Sequence, residues 1–495
     1  MIHRVNSHNL MIQGTMSGVG KSLIVAGLCR LLKQDGLTPA PFKSQNMALN
    51  SFVTADGLEM GRAQVMQAYA AGLEPEIEMN PVLLKPTDDT GSQVIVNGRP
   101  LKNMPAREYF AYKKTLIPVI RSAYEKLSAK YSPVIIEGAG SPAEINLKEN
   151  DIVNMGLAEM LDAPVLLAGD IDRGGVFAQL YGTVMLLPEK ERARIRGFII
   201  NKFRGDPSLL DSGVRTIEEK TGIPVLGVIP YIPGLKLEDE DSLTERFDRD
   251  WSKNALIRIA VIHLPRISNF SDFDPFEQDP DVSLIYTSDP EKLKEADLII
   301  IPGSKNTIAD MEFLIDKGLA AALKRLCGMI PVIGICGGFQ MLGENVKDPS
   351  GMEGGGEVDG LGLLPVNTIL QKEKKQTRTE GMINKNIRGI FSGLEGLPFS
   401  GYEIHMGSSY LSGHAEEALS DIIISTGADV YGTYIHGIFD NAEISGAILD
   451  ALAKKKGVTL DLTRQTDQHI IRDKEYDRVA DILRENLNLT FCSWL

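Results

Sequence analysis

Gly14-Thr15-Met16-Ser17-Gly18-Val19-Gly20-Lys21-Ser22 lies between an apolar run, Asn9–Gln13, and an amphipathic stretch, Gly20–Lys33. A strand, a glycine-rich turn and a helix opening on Lys-Ser form the order a phosphate cradle requires. Glycines let backbone N–H groups turn inward onto phosphate oxygens, and the helix N-terminus adds positive potential. The spacing places Lys21 on the β- and γ-phosphates and the Ser22 hydroxyl on Mg²⁺. Gly14, Thr15, Ser17, Gly18, Gly20, Lys21 and Ser22 are therefore the candidate nucleotide contacts. The strict pattern has glycine six residues before the lysine. Thr15 stands there instead, with Gly14 one residue earlier, so the loop is one residue longer.

Outward from the loop, short apolar runs alternate with longer amphipathic ones. Val134–Glu137, Val165–Asp170, Gly197–Asn201 and Val225–Ile229 read as strands, and Gly61–Ala71 and Arg107–Ala129 as helices. Strands this apolar belong in a parallel sheet covered on both faces. The prolines and glycine of 230–234 and the acidic run Glu238-Asp239-Glu240-Asp241 read as a domain boundary. A second α/β unit follows, with strands at Ile257–Leu264, Leu298–Ile301, Val332–Ile335 and Thr433–Ile435. The expectation is two three-layer α/β domains: 1–232, a linker 233–252, and 253–495. The charged amphipathic segment that includes Arg472–Arg478 would cap the fold. A chain of 495 residues exceeds what one core usually supports, which agrees.

Composition excludes several classes. With 66 acidic residues against 52 basic ones the net charge is −14, which argues against a nucleic-acid or anionic-membrane binder. The four cysteines, Cys29, Cys327, Cys336 and Cys492, have no C-x-x-C spacing, so neither a zinc cage nor a disulfide framework is expected. No apolar run approaches the roughly 18–20 residues that span a bilayer, and Met1–His8 has no leader-type apolar region. A cytoplasmic enzyme without nucleic-acid or membrane partners is expected. Of 48 glycines, most punctuate turns; Gly351–Gly356 is the one low-complexity patch, and Gly354–Gly356 within it reads as a mobile loop.

Val332-Ile333-Gly334-Ile335-Cys336-Gly337-Gly338-Phe339-Gln340-Met341-Leu342-Gly343 places one cysteine at a sharp strand-to-helix turn. Small flanking residues permit the strained turn of a nucleophile elbow, and a helix start favours the attacking thiolate. His436, at a predicted strand end, is the candidate base. The turn at Gly303 and the N–H of Gly337 are candidate oxyanion donors, and Gln340 is grouped with them as a glutamine-binding candidate.

These motifs carry resemblances. The longer phosphate loop resembles the dethiobiotin-synthetase-like branch of P-loop enzymes, which activates carboxylates with ATP. That likeness implies Mg²⁺ held by Ser22 and by Glu137 at the end of its strand. For a second acidic ligand Asp56 and Glu59 are both placed, and Glu59 is preferred. Ile257 to Asp440 resembles a class I glutamine amidotransferase domain, which implies a flavodoxin-like fold beside the P-loop NTPase-like parallel sheet. The usual triad has a carboxylate two residues after the histidine, where this chain has Ile438. Either another group orients His436, or the domain follows the dyad form of the cobyrinate-amidating branch. An inactive glutaminase is the third reading, and retention of both Cys336 and His436 argues against it.

An ATP site and an ammonia-releasing site on one chain imply conversion of a carboxylate to a carboxamide. Pro41–Ser51, Glu59–Gln64, Met79–Pro86, Asn201–Asp206, Arg266–Pro275 and Gly401–Gly407 resemble, in order, the cobyric acid synthase family. The resemblance implies amidation of the b, d, e and g carboxylates of a corrin a,c-diamide. ATP with Mg²⁺ and L-glutamine would be consumed, and no tightly bound prosthetic group is expected. It also implies that Lys43 contacts the transferring phosphate or the substrate carboxylate. Asn201 would read adenine by analogy, and Arg62 and Lys85 would hold substrate carboxylates. His405 has no second histidine at ligand spacing and reads as structural, not as a cobalt ligand. Two rivals stand beside this reading. One is a cobyrinic acid a,c-diamide synthase. The other is a regulatory P-loop ATPase with a relic glutaminase, which would carry a second lysine where Gln13 and Gly14 stand. A homo-oligomer is left open.

Overall fold

The computed structural model describes residues 9–87, 91–237, 246–413, 419 and 422–494; Met1–His8 and the acidic run 238–241 lie outside the described residues. Two α/β units are present. The first comprises 1–48, 59–242 and 472–495, and the second 49–58 and 243–471.

In the first unit β1 (Asn9–Gly14), β2 (Ala40–Phe42), β3 (Val134–Glu137), β4 (Val165–Asp170), β5 (Ile195–Phe203) and β6 (Val225–Pro230) form one sheet. Their order is β6-β5-β4-β1-β3-β2, and every pair is parallel. β1 and β4 are buried along their whole length, as the apolar runs required. The chain passes to opposite sides of β1, so the crevice beyond its carboxyl end is the expected ligand position. Helix α1 (Lys21–Gln34) starts there, and α2 (Arg62–Ala71) follows β2. A smaller sheet of Gln45–Met47, Val82–Pro86, Gly91–Val96 and Arg99–Pro105 was not anticipated.

The single helix expected over Arg107–Ala129 is three pieces: Ala106–Tyr112, a 3₁₀ turn Lys113–Leu116, and Ile117–Lys130. Pro118 is the cause, since it has no N–H for the preceding turn and is accepted only in a helix's first turn.

The domain limits also differ from expectation. Residues 472–495 complete the first unit, not the second. Their apolar face (Tyr476, Val479, Ala480, Leu483, Leu487, Phe491) shares a core with Ile24, Leu28 and Leu31 of α1. A Cβ added at Gly27 would stand 2.6 Å from Leu483 and 2.7 Å from Val479, so only glycine lets the elements approach this closely. The Arg30 guanidinium forks onto Asp477 at 2.7 and 3.1 Å.

In the second unit β7 (Ile257–Ile262), β8 (Val282–Thr287), β9 (Leu298–Ile301), β10 (Val332–Ile335), β11 (Ile424–Thr426) and β12 (Val430–Thr433) stand in the order β8-β7-β9-β10-β12-β11. All pairs are parallel except β11 with β12. This is the flavodoxin-like order with an antiparallel edge strand added. The strand expected at Thr433–Ile435 ends at Thr433, which puts Tyr434 to His436 in the loop beyond the sheet. A second sheet is built on the long pair Val366–Met382 and Pro398–Leu411.

Gly354–Gly356, expected to be a mobile loop, leaves a hydrogen-bonded turn and enters the strand Gly356–Asp359. The Asp348 carboxylate accepts the N–H groups of Met352, Glu353 and Gly355 at 2.8, 2.7 and 2.9 Å.

Candidate active sites

The loop after β1 turns on Gly18 and Gly20, both with positive φ, and α1 begins at Lys21. Ser17, Lys21 and Ser22 line a cavity of about 400 Å³ together with Lys43, Asn46 and Glu137. Glu137, at the end of β3, is its centre. Ser22 Oγ donates to Glu137 Oε1 at 2.8 Å and Lys43 Nζ donates to the same oxygen at 2.7 Å. On α2, Gln64 and Gln67 stand one turn apart and both amides donate to Oε2. Burial alone would raise the Glu137 carboxyl, but the Lys43 ammonium, the Gln67 amide and Lys21 outweigh it and hold it below the usual range. Glu137 is thus a carboxylate at neutral pH. A hydroxyl and a carboxylate oxygen side by side at the phosphate loop are hard donors of the kind Mg²⁺ takes when phosphates and water complete its shell.

In the second unit Cys336 sits between β10 and helix α3 (Gly337–Leu342) with φ 52° and ψ −109°. A side chain at positive φ is strained, and the surrounding packing enforces it. A Cβ at Gly338 would lie 2.0 Å from the Ile301 carbonyl, so no larger residue permits the turn. The Cys336 sulfur is 3.7 Å from the Ile404 carbonyl oxygen. His436 Nδ1 stands 2.7 Å from Asp272 Oδ2, and Gly437 N–H donates to Asp272 Oδ1 at 2.9 Å. Burial opposes the imidazolium, yet Asp272 and the neighbouring Cys336 push His436 up to about 10. A cationic imidazole beside a sulfur stabilises negative charge developing there. The Tyr402 ring stacks on the His436 ring at 5.5 Å, and the two residues exchange backbone hydrogen bonds at 3.0 and 2.9 Å. The turn after β9 closes on the same place. A Cβ at Gly303 would lie 3.2 Å from His436 Cε1, and one at Gly337 would lie 2.9 Å from the Ser304 nitrogen.

Over 97% of its length the chain is 54% identical to the cobyric acid synthase of Lachnoclostridium phytofermentans, covering 97% of that protein. The chain belongs to the cobyric acid synthase family. The cobyric acid synthase of Ruminiclostridium cellulolyticum is 52% identical, over 97% of this chain and 96% of that one. That of Caldanaerobacter subterraneus subsp. tengcongensis is 48% identical, over 97% of both. Residues 10–244 match the CobQ/CobB/MinD/ParA nucleotide binding domain, and residues 258–444 the CobB/CobQ-like glutamine amidotransferase domain. A cobyric acid synthase is a glutamine-dependent amidotransferase that uses a nucleotide, and both domains are present.

Several residues expected at the sites of this cobyric acid synthase family member stand elsewhere. Glu59, preferred as the second metal ligand, instead accepts a hydrogen bond from Lys85 Nζ at 3.0 Å, and both are buried. Neither of them, nor Arg62 or Asp56, lines the phosphate-loop cavity. Glu59 and Lys85 form a buried ion pair outside that cavity. Among the described residues no group of three or more His, Cys, Asp or Glu gathers around a metal position. Asn201 braces the loop: its amide donates to the Val19 carbonyl at 2.7 Å, and a Cβ at Gly20 would stand 2.5 Å from that amide nitrogen. Gln340 is buried, with Thr307 donating to its oxygen at 3.0 Å and its own amide reaching Tyr434 and the Met406 carbonyl at 3.2 and 3.3 Å. His405 is structural. Its Nδ1 meets the Gly407 carbonyl at 3.0 Å, Nε2 meets Glu403 at 3.2 Å, and its ring stacks on Tyr434 at 3.8 Å.

Three contributors went unassigned in the sequence. Asp272 lies inside the string Arg266–Pro275, where an acidic residue with no assigned partner was the available signal. Gln67 follows Gln64 at helical spacing. Glu353, whose carboxyl burial pushes up to about 7, accepts the Thr307 N–H; nothing in its glycine-rich context pointed there.

Proposed function

We propose that the chain makes cobyric acid by amidating the b, d, e and g carboxylates of a corrin a,c-diamide with ATP and glutamine. The observation that carries the reading is the joining of Cys336, His436 and Asp272, on a chain whose phosphate loop sets Ser22 against Glu137.

The oxygen of a carboxylate is a poor leaving group. Attack of the substrate carboxylate on the γ-phosphorus forms an acyl phosphate and releases ADP. Ammonia then adds to the acyl carbon and phosphate departs. The loop N–H groups and Lys21 hold the phosphates in line, and Lys43 meets charge on the transferring group. Mg²⁺, held by Ser22 and Glu137, would neutralise the β- and γ-phosphate oxygens. In the other unit the Cys336 sulfur attacks the glutamine carboxamide, and His436 gives its proton to the departing ammonia. Water, deprotonated by His436, then cleaves the thioester to glutamate. Asp272 keeps the imidazole oriented through both steps. A reducing cytoplasm, where free thiols persist, suits this chemistry.

Mass spectrometry of corrin a,c-diamide incubated with the protein, ATP, Mg²⁺ and glutamine is the test. Four successive carboxyl-to-carboxamide steps are expected. The Cys336→Ala variant should lose them with glutamine and keep them with ammonium. ATP hydrolysis and glutaminase activity with every carboxylate untouched would overturn the reading. Amidation of cobyrinic acid at a and c instead would assign the chain to the diamide-forming reaction.

A further inference from the structure

The phosphate-loop cavity contains more positive charge than the loop chemistry uses. Lys21, Lys43, Lys113 and Lys148 all line it. Three of them are engaged. Lys21 Nζ donates to the Met16 and Gly140 carbonyls at 3.1 and 3.4 Å, Lys43 pairs with Glu137, and Lys148 pairs with Glu191 at 2.6 Å. Lys113 differs. Among the described residues no carboxylate lies within ion-pair distance of it. Its ammonium stands 5.9 Å from the ring centres of Tyr109 and of Phe110, the outer limit of a cation–π contact.

Two of the cavity's three carboxylates, Asp151 and Glu137, accept hydrogen bonds on both oxygens. Asp151 is the nearest influence on Lys113, but its Oδ1 accepts the N–H groups of Val153 and Asn154 at 2.9 and 2.8 Å. Its Oδ2 accepts that of Gly156 at 2.9 Å. Glu137 is saturated by Ser22, Lys43 and two glutamines, and Glu144 lies exposed at the rim. Lys113 is itself half-buried, and burial pulls its ammonium below the usual lysine range. A half-buried cation that only the field of Asp151 offsets, with no direct ion pair, is costly, and a bound anion lowers that cost. Two anions enter this cavity in the proposed reaction, the nucleotide phosphates and a substrate carboxylate. The phosphates are already provided for by the loop N–H groups, Lys21 and Ser22.

We propose that Lys113 is the counter-ion for a carboxylate of the acid to be amidated, and so a substrate-binding residue of the ligase site. The position supports this. Lys113 opens the 3₁₀ turn between two helices, where the backbone stays helical, so its Cα is held on a regular element at the cavity wall.

The proposal rests on the corrin-amidating reading, and steady-state kinetics of the full chain separates the two. Lys113→Gln is expected to raise KM for corrin a,c-diamide roughly 10- to 100-fold, the range for losing a charged hydrogen bond. KM for ATP and the glutaminase rate should stay unchanged. Lys113→Arg should restore most of the affinity. An unchanged corrin KM in Lys113→Gln overturns the proposal while leaving the reaction assigned. A rise in KM for ATP in its place overturns it in favour of a phosphate contact. Equal losses in Gln and Arg variants overturn it by showing that shape, not charge, matters. Wild-type protein that amidates no corrin carboxylate defeats both.

Discussion

His436 Nδ1 meets Asp272 Oδ2 at 2.7 Å, joining two residues that lie 164 positions apart, and the other oxygen of that carboxylate takes the N–H of Gly437. One carboxylate thereby fixes both the ring and the loop that bears it. In the proposed glutaminase the acid beside His436 is supplied from before Cys336 in the chain instead of two residues after His436.

Asp272→Asn keeps the shape and removes the charge. Glutaminase kcat should fall about 10²- to 10⁴-fold, as when the orienting acid of a triad is neutralised. The pH profile should move as well. Asp272 favours the imidazolium, so its loss lowers the His436 pKa from about 10. The alkaline limb of kcat/KM, followed by glutamate release, should shift to lower pH. An unmoved limb would contradict the assignment.

The same pair makes stability depend on pH with a definite sign. Unfolded histidine titrates near ~6.5, and folded His436 near about 10. The stabilisation is complete below the first value and is lost as pH rises to the second. Urea midpoints should decline between those limits in the wild type and decline less in Asp272→Asn.

Glu137→Gln removes the carboxylate shared by Ser22 and Lys43. Mg²⁺-dependent ATP hydrolysis should fall at least about 10²-fold, the scale of losing one preorganised electrostatic contact. The Lys43 ammonium is left buried without its anion, which should cost about 3 kcal/mol. Adding Lys43→Met should recover part of that stability and none of the activity. Chemical denaturation and phosphate release read the two effects separately.

Leu483→Ala tests the place of the C-terminal segment. Leu483 is buried with α1 of the nucleotide unit, so truncation should destabilise by about 3 kcal/mol. ATP affinity should weaken, and glutaminase activity measured without ATP should persist. The reverse pattern would return the segment to the second unit.

What could be read in advance follows from distance along the chain. The phosphate loop and the cysteine elbow are contiguous, so their glycines, strand and helix are visible in one window. Asp272 is not, because no local spacing links it to His436. Glu59 and Lys85 illustrate the opposite case. Each looks like an available charge in its own string, and only the fold shows that they neutralise each other. Thr433–Ile435 was apolar enough to extend β12, but the chain leaves the sheet at Thr433 to deliver His436. Amphipathic spacing marked 472–478 as helical; it did not reveal which core would accept the apolar face.

The interleaving of the chain has a temporal side. Ribosomes deliver the sheet of the nucleotide unit first, yet residues 472–495, which belong to that unit's core, are made only after the whole of the second unit. Until then α1 exposes the apolar surface that Val479 and Leu483 will cover. The glutaminase sequence is complete before that cover arrives. The order of completion thus inverts the order of synthesis: a nascent chain holds every residue of the second unit before it holds every residue of the first. A premature stop after 471 would yield a polypeptide with a complete second unit and an open, aggregation-prone first unit.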